Sequence, residues 1–253
     1  MTASIGLFAS DLDGTLLSFS GDPAASQRFA ACWDAVPRES RPVLCYNSGR
    51  LVGDLRVAAS EAGLPAPDYL IGGVGTTLVD QGGTIVREFQ ERFRAGWERS
   101  LVVEVMAATP GIEPQAERYQ SPFKSSWFLR NAADDLLAEI RHRLSQVELD
   151  VTVIYSSNRD LDVVPAKADK GNAVRWLRDH LGLAPNTVVV AGDTGNDSSM
   201  FRVPGVRGIA VANARSELIE AIAGCDVFQA ASPEADGVIE GLRHFNLFTD
   251  TPA

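Results

Sequence analysis

Short apolar runs that stop in polar, glycine-containing loops and then pass into helical periodicity recur at both ends of this 253-residue chain. Residues 5–10 form the first, too short for a helix, and break at the DLDGT of 11–15. A helical pattern covers 23–36. The next strand, 42–46, ends in Asn47-Ser48-Gly49-Arg50, and a helix follows over 52–62. A short strand at 69–71 leads into Gly72-Gly73-Val74-Gly75. The same alternation returns late in the chain. A helix over 170–180 precedes a strand at 187–191 that ends in the GDTGND of 192–197, and a strand at 207–212 is followed by helices over 216–223 and 234–245. Strand, loop and helix in repetition point to an α/β fold with a Rossmann-like parallel-sheet core.

The middle of the chain has a different texture. Asp80-Gln81-Gly82-Gly83 reads as a hairpin turn between apolar flanks. Then come a helix over 93–106, a strand at 124–129, a helix over 132–144, and two strands at 151–155 and 161–164 around the polar link 156–160. Paired strands with helices between them describe a small α+β domain. The expected organisation is a catalytic core of residues 1–83 and 167–253, interrupted by an inserted cap domain of residues 84–166.

Composition removes several function classes. The net charge of −10 opposes a nucleic-acid partner, which would call for a basic face. No apolar run reaches the roughly 18 residues of a membrane span. The N-terminus has no basic region before its apolar stretch, so a soluble, cytoplasmic protein is expected. The three cysteines, Cys32, Cys45 and Cys225, are odd in number and lack metal-site spacing, which favours reduced thiols. The three histidines, His142, His180 and His244, lie away from every strand-end motif. A Ser-His-Asp triad, a histidine-based phosphatase and a multi-histidine zinc site are therefore disfavoured.

The chemistry sits at the strand ends. Asp11 and Asp13 follow the first strand, Ser48 the second, and Asp193 and Asp197 a later one. In an open parallel sheet, ligands bind beyond the carboxyl ends of the strands. Carboxylates crowded there would repel one another without a cation, and all-oxygen donors suit magnesium. A carboxylate can attack phosphorus, and Lys170 can neutralise the approaching anion. Ser48 and the Gly49 amide, placed at a helix N-terminus, would cradle phosphate. Asp13 can protonate a leaving alcohol and then activate water.

Blander readings are weaker. A calcium-binding EF-hand needs glycine at its sixth position, whereas Gly14 is fourth. A helix N-cap explains one aspartate but not four. Gly72-Gly73-Val74-Gly75 reads as a tight turn, because no acidic residue follows where a dinucleotide site needs one. Arg50 either meets substrate or pairs with Asp54 four residues on.

DLDGT, Asn47-Ser48-Gly49-Arg50, Lys170 in DKGNA, and GDTGND together resemble, in order and type, the four motifs of haloacid dehalogenase-like phosphatases. The resemblance implies Asp11 as nucleophile and Asp13 as acid/base. It implies magnesium held by Asp11, the Asp13 carbonyl and Asp193, with Asp197 orienting the metal's water. Ser48, Gly49, Lys170 and Asn196 would hold the phosphoryl group. The 122 positions from Ser48 to Lys170 match the superfamily's second cap class, inserted between motifs two and three. PDYLIGGVGT, QSPFKSSWFL, IYSSNRDLDVVP and VANARSEL further resemble sucrose-phosphate and mannosylfructose-phosphate phosphatases. That likeness implies a small-molecule sugar phosphate as substrate, best a disaccharide phosphate such as sucrose 6-phosphate. It suggests Gln120, Lys124, Ser156 and Asn158 as sugar contacts from the cap, since polar groups that bond hydroxyls discriminate sugars, and Arg50 is a further candidate for binding substrate. A broad sugar monophosphatase and a phosphosugar mutase are the other enzyme readings, and a non-catalytic module the reading from a different class.

Overall fold

The computed structural model describes residues 4–18, 23–156 and 158–248. The chain forms two compact units, one of Met1–Ile85 with Lys170–Ala253, the other of Val86–Asp169. The first unit opens with β1 (Leu7–Ser10), α1 (Ala24–Ala35), β2 (Val43–Asn47), α2 (Val52–Glu61), β3 (Tyr69–Gly72) and β4 (Thr77–Asp80). The second contains α3 (Arg87–Glu91), α4 (Arg99–Ala107), β5 (Glu113–Pro114), β6 (Ser125–Phe128), α5 (Asp134–Gln146), β7 (Val151–Ser156) and β8 (Asp160–Pro165). The chain returns to the first unit with α6 (Lys170–His180), β9 (Val188–Gly192), α7 (Ser198–Phe201), β10 (Arg207–Ala210), α8 (Ser216–Ala221), β11 (Val227–Gln229) and α9 (Glu234–His244).

The first unit is built on a seven-stranded sheet in the order β11-β10-β9-β1-β2-β3-β4. Every pairing is parallel except that of β4 with β3. β1 lies between β2 and β9, with Ser10 beside both Tyr46 and Ala191. β1, β9 and β10 are buried along their whole length, as strands covered on both faces must be. The connections run to one side of β1 first and to the other side later, so the sheet changes direction between β1 and β9. That point is where an open α/β sheet leaves a crevice for a ligand.

Helical spacing supplies the packing. In α1, Ala25, Phe29 and Trp33 recur every four residues and are buried. Phe8 of β1 meets Phe29 and Trp33 with ring centroids 6.2 Å apart in each case, and Phe248 closes on Phe29 at 6.2 Å. Val238 and Leu242 of α9 join the same core. Burying a side chain of this size contributes about 1.5–3 kcal/mol.

The second unit is a four-stranded antiparallel sheet, β5-β6-β8-β7, consistent with the α+β expectation. Trp127, Leu161, Val163 and Val153 pack with Val102 and Met106 of α4 and with Leu137, Ile140 and Leu144 of α5. Its limits differ by a few residues from 84–166. Ile85 still bridges to Val79 on the core sheet, and Ala166 donates to the Asp150 carbonyl of the insert at 2.9 Å.

The helix expected over 93–106 forms only from Arg99, as α4, and residues 93–98 are a break between it and α3, which ends at Glu91. Phe93 and Trp97 have helical spacing and are both buried, but they serve other contacts. Phe93 packs on Phe89 at 5.3 Å and Phe123 at 5.7 Å, while the Trp97 indole donates to the Pro122 carbonyl at 2.7 Å. Glu98 then caps a fresh helix by accepting from the Ser100 amide at 3.2 Å. β4, α3, β5, β11 and the short α7 were not among the expected elements.

Cys45 is buried, Cys32 and Cys225 half-buried, and none is bonded. Among the described residues no helix is long and apolar enough to cross a membrane. Phe29→Ala should lower stability by about 3–5 kcal/mol, because it empties the aromatic cluster under β1. A reduced urea midpoint at unchanged slope would register it, and an unchanged midpoint would contradict the packing described.

Candidate active site

β1 ends at Ser10, but the ladder continues for one residue: the Asp11 amide donates to the Ala191 carbonyl at 2.9 Å. The chain then turns tightly, with the Leu16 and Leu17 amides both on the Leu12 carbonyl at 2.9 and 2.7 Å. Leu12 and Leu16 are fully buried and anchor the turn from below. Asp13, between them, remains at the partly exposed rim.

The loop after β9 is organised by one carboxylate. Asp197 Oδ2 accepts from the backbone amides of Asp193 and Thr194, each at 3.0 Å, completing a capping box with Thr194. A side chain at Gly192 would place its Cβ 2.6 Å from that of Asp197, so only glycine fits beneath it. Asp197 Oδ1 is left for Lys170, whose Nζ donates to it at 2.7 Å and to Asp11 Oδ1 at 2.5 Å. The Lys170 side chain is 1% exposed and that of Asp197 0%. Asp193 Oδ1 accepts from Thr15 Oγ1 at 3.4 Å, a long bond.

Asp11, Asp193 and Asp197 thus present carboxylate oxygens within 4.8 Å of one another, all buried, against a single ammonium. Negative charge is in excess, and the proton affinities show it. Burial, then the charge of Asp197, outweighs Lys170 and pushes Asp11 up to about 8. Burial and Asp197 push Asp193 up to about 7. Burial works against the charged form of Lys170, but Asp11 and Asp197 overcome it and hold its pKa above the ordinary value. The three buried carboxylates form an oxygen donor set that fits a hard divalent cation, and the Lys170 ammonium offsets only part of their charge.

The remaining strand-end residues lie around this cluster. Arg50 grips Asp13 with a two-point fork, Nε to Oδ2 at 2.8 Å and a terminal nitrogen to Oδ1 at 2.6 Å. The pairing with Asp54 suggested by helical spacing is replaced by this fork, because Arg50 lies in the turn before α2 rather than on the helix. α2 begins at Val52, as expected, with Leu51 as its N-cap, so Ser48 and Gly49 precede its N-terminus instead of forming it. Ser48 is buried, its amide donates to the Ile71 carbonyl at 2.9 Å, and its Oγ accepts the Arg50 amide at 3.1 Å. Asn196 is exposed and its Oδ1 accepts from Thr194 Oγ1 at 2.8 Å.

Gln120, Lys124, Ser156 and Asn158 belong to the second unit. Gln120 uses both ends of its amide on backbone, taking the Ser126 amide at 2.9 Å and donating to the Ser126 and Gln115 carbonyls. Lys124 is buried, bonded to Ser126 Oγ at 2.7 Å and 2.8 Å from Asp162. Asn158 is an exposed turn residue at φ +51°. Ser156 ends β7, and its side chain lies outside the described part.

Two supporting residues escaped the sequence reading. One is Thr15, inside DLDGT. The other is Asn213, inside VANARSEL, whose amide donates to the Gly14 carbonyl at 2.8 Å and accepts from the Glu234 amide at 2.8 Å. Both lay in segments already singled out, but nothing local showed what they would touch.

A family model for sucrose-6F-phosphate phosphohydrolase matches residues 5–246. A mannosylfructose-phosphate phosphatase of Agrobacterium fabrum is 43% identical over 244 residues, covering 95% of this chain and 97% of the relative. Sucrose-phosphatase 1 of Nicotiana tabacum is 33% identical over 256 residues, which span 97% of this chain but 60% of the tobacco protein. Among solved structures, the sucrose-phosphatase of Synechocystis sp. PCC6803, in complex with sucrose and phosphate, superposes with a TM-score of 0.84. It is 28% identical, and the match covers 96% of this chain and 98% of that one. With a matching model over nearly its whole length and a full-length relative at this identity, the chain belongs to the sucrose-6F-phosphate phosphohydrolase family of the haloacid dehalogenase superfamily.

Proposed function

We propose that this chain is a cytoplasmic, magnesium-dependent phosphatase that hydrolyses a disaccharide phosphate, sucrose 6-phosphate, through an aspartyl-phosphate on Asp11. The observation that carries the reading is the buried cluster itself: Asp11 beside Lys170, with Asp193 and Asp197 closing the other side. Asp11, the Asp13 carbonyl and Asp193 would hold the metal, with Asp197 behind them. When bound, magnesium supplies positive charge against the phosphoryl oxygens.

Asp11 attacks phosphorus as the bond to the sugar oxygen breaks, and Asp13 gives that oxygen its proton. Water then cleaves the acyl phosphate while Asp13 takes a proton back, and inorganic phosphate leaves. Lys170, Ser48, the Gly49 amide and Asn196 hold the phosphoryl oxygens throughout. Asp13 must leave the Arg50 fork to reach the leaving oxygen, so Arg50 stands where it can exchange this carboxylate for substrate. In the second unit the Lys124 ammonium already meets Ser126 Oγ and Asp162 and keeps one N–H for a sugar hydroxyl, whereas Gln120 has its amide committed to backbone. Asn158 and Ser156 border the β7–β8 turn and complete the proposed sugar contacts.

The 43% identity to a mannosylfructose-phosphate phosphatase favours a second substrate, mannosylfructose phosphate. Both candidates join an aldohexose to fructose and differ in the aldohexose. A phosphate-release panel of sucrose 6-phosphate, mannosylfructose phosphate, trehalose 6-phosphate, glucose 6-phosphate and mannose 6-phosphate separates the readings. One of the two fructose-containing esters should exceed the monosaccharide phosphates in kcat/KM by at least about tenfold, about 1.4 kcal/mol of discrimination. Equal, weak rates on every ester would overturn the disaccharide assignment. Asp11→Asn should reduce turnover by at least about 10³-fold in a protein that still folds. Retained turnover would remove Asp11 as nucleophile.

The carboxylates also set a pH dependence. Asp11 and Asp193 rise to about 8 and about 7 from an ordinary 3.8, so without metal the folded state binds the extra protons. Metal-free stability therefore falls as pH rises through that window. Metal takes the ionised carboxylates, so the melting shift caused by magnesium should grow from about pH 5 to about pH 8. An equal shift at both pH values would contradict the metal assignment.

A further inference from the structure

Asn47, the last residue of β2, is fully buried. Its Nδ2 donates to the backbone carbonyl of Lys170 at 3.0 Å and approaches Met200 Sδ at 3.3 Å. Its Oδ1 has no partner among the described residues. An apolar side chain would fill this place without stranding a buried acceptor, which costs folding free energy. The amide is thus poorly accounted for by packing. Its bond to backbone goes to the residue whose ammonium joins Asp11 to Asp197.

A second tether holds the same helix start. The Gly171 amide donates to Ser199 Oγ at 3.0 Å, and a Cβ at Gly171 would lie 2.1 Å from the Ser199 carbonyl oxygen. The first turn of α6 is therefore fixed from β2 by Asn47 and from the α7 side by Ser199. A lysine side chain is a flexible four-carbon stem, so its ammonium is placed only as well as its backbone is held. Ser48 follows Asn47 directly. One strand end thus carries both the Ser48 hydroxyl and the tether of Lys170.

We propose that Asn47 is a positioning residue for phosphoryl transfer, fixing the Lys170 ammonium relative to the Ser48 turn through its bond to the Lys170 carbonyl. The assignment rests on Lys170 and Ser48 holding the phosphoryl group, as proposed above.

The chain contains three lysines, Lys124, Lys167 and Lys170, so amine labelling resolved by mass spectrometry reads Lys170 directly. Full-length Asn47→Ala and Asn47→Ser are compared with wild type and Lys170→Met. Acetic anhydride is the labelling probe, and p-nitrophenyl phosphate and inorganic phosphate test the phosphoryl site without a sugar. Lys170 should label at least about tenfold faster in Asn47→Ala while Lys124 stays protected. The variant's kcat should fall by up to about 10²-fold, as expected for a misplaced group, and inhibition by inorganic phosphate should weaken in step. Wild-type protection of Lys170 in both variants overturns the proposal, whatever the activity. Lys170 exposed with kcat unchanged also overturns it, and shows that the tether exists but Lys170 has no part in the reaction. A fully active Lys170→Met points to the same failure of the underlying reading. If Lys124 loses protection together with Lys170 in Asn47→Ala, that variant has unfolded and Asn47→Ser decides: selective exposure of Lys170 supports the tether, and its absence overturns it.

Discussion

The Lys170 ammonium, sealed from water between Asp11 and Asp197, is the contact on which the rest of the site depends. Taking two opposite charges out of water costs several kcal/mol for each, and only close geometry with further hydrogen bonds offsets it. Asp197 meets that condition by dividing its oxygens, one for Lys170 and one for the amides of Asp193 and Thr194. The pair therefore does two things. It holds the loop after β9 in shape, and it keeps Asp11 against a cation. Without the lysine, three buried carboxylates would face one another unopposed.

The parallel sheet makes this contact possible. β1 is central, and its neighbours β2 and β9 deliver the Ser48 turn and the Asp193–Asp197 loop to either side of Asp11. Each loop is short and tied by its own backbone bonds, so the functional groups sit on rigid strand ends rather than on mobile connections. Asn213 ties the Gly14 carbonyl to the start of α9, adding a further link between distant loops. The second unit follows another design. Its sheet buries Trp127, Leu161 and Val163 under α4 and α5, while Lys124, Ser126 and Asp162 form a separate polar group.

Much of the fold was legible because strand and helix periods are local. The runs that became β1, β2 and β9 were largely apolar, as fully covered parallel strands are. The break between α3 and α4 was not legible, since Phe93 and Trp97 keep helical spacing while serving separate contacts. The start of α2 at Val52 was legible, but Ser48 and Gly49 were placed at its N-terminus, whereas Ser48 and Arg50 are tied into their own turn ahead of the Leu51 cap. Arg50 could be matched to Asp54 by spacing alone, yet the fold brings Asp13, 37 positions away, within its reach.

By itself, the sequence determined the alternation of elements, the family, and the kinds of groups that close each strand. The elements and their closing groups follow from residue type and period within short windows, and the family from the order of four such motifs along the chain. Only the tertiary structure decided which charges share a partner. Lys170 lies 159 positions from Asp11 and 27 from Asp197. A buried charge pairs with whatever opposite charge the packing leaves within bonding distance, and that distance is a property of the folded sheet rather than of the chain.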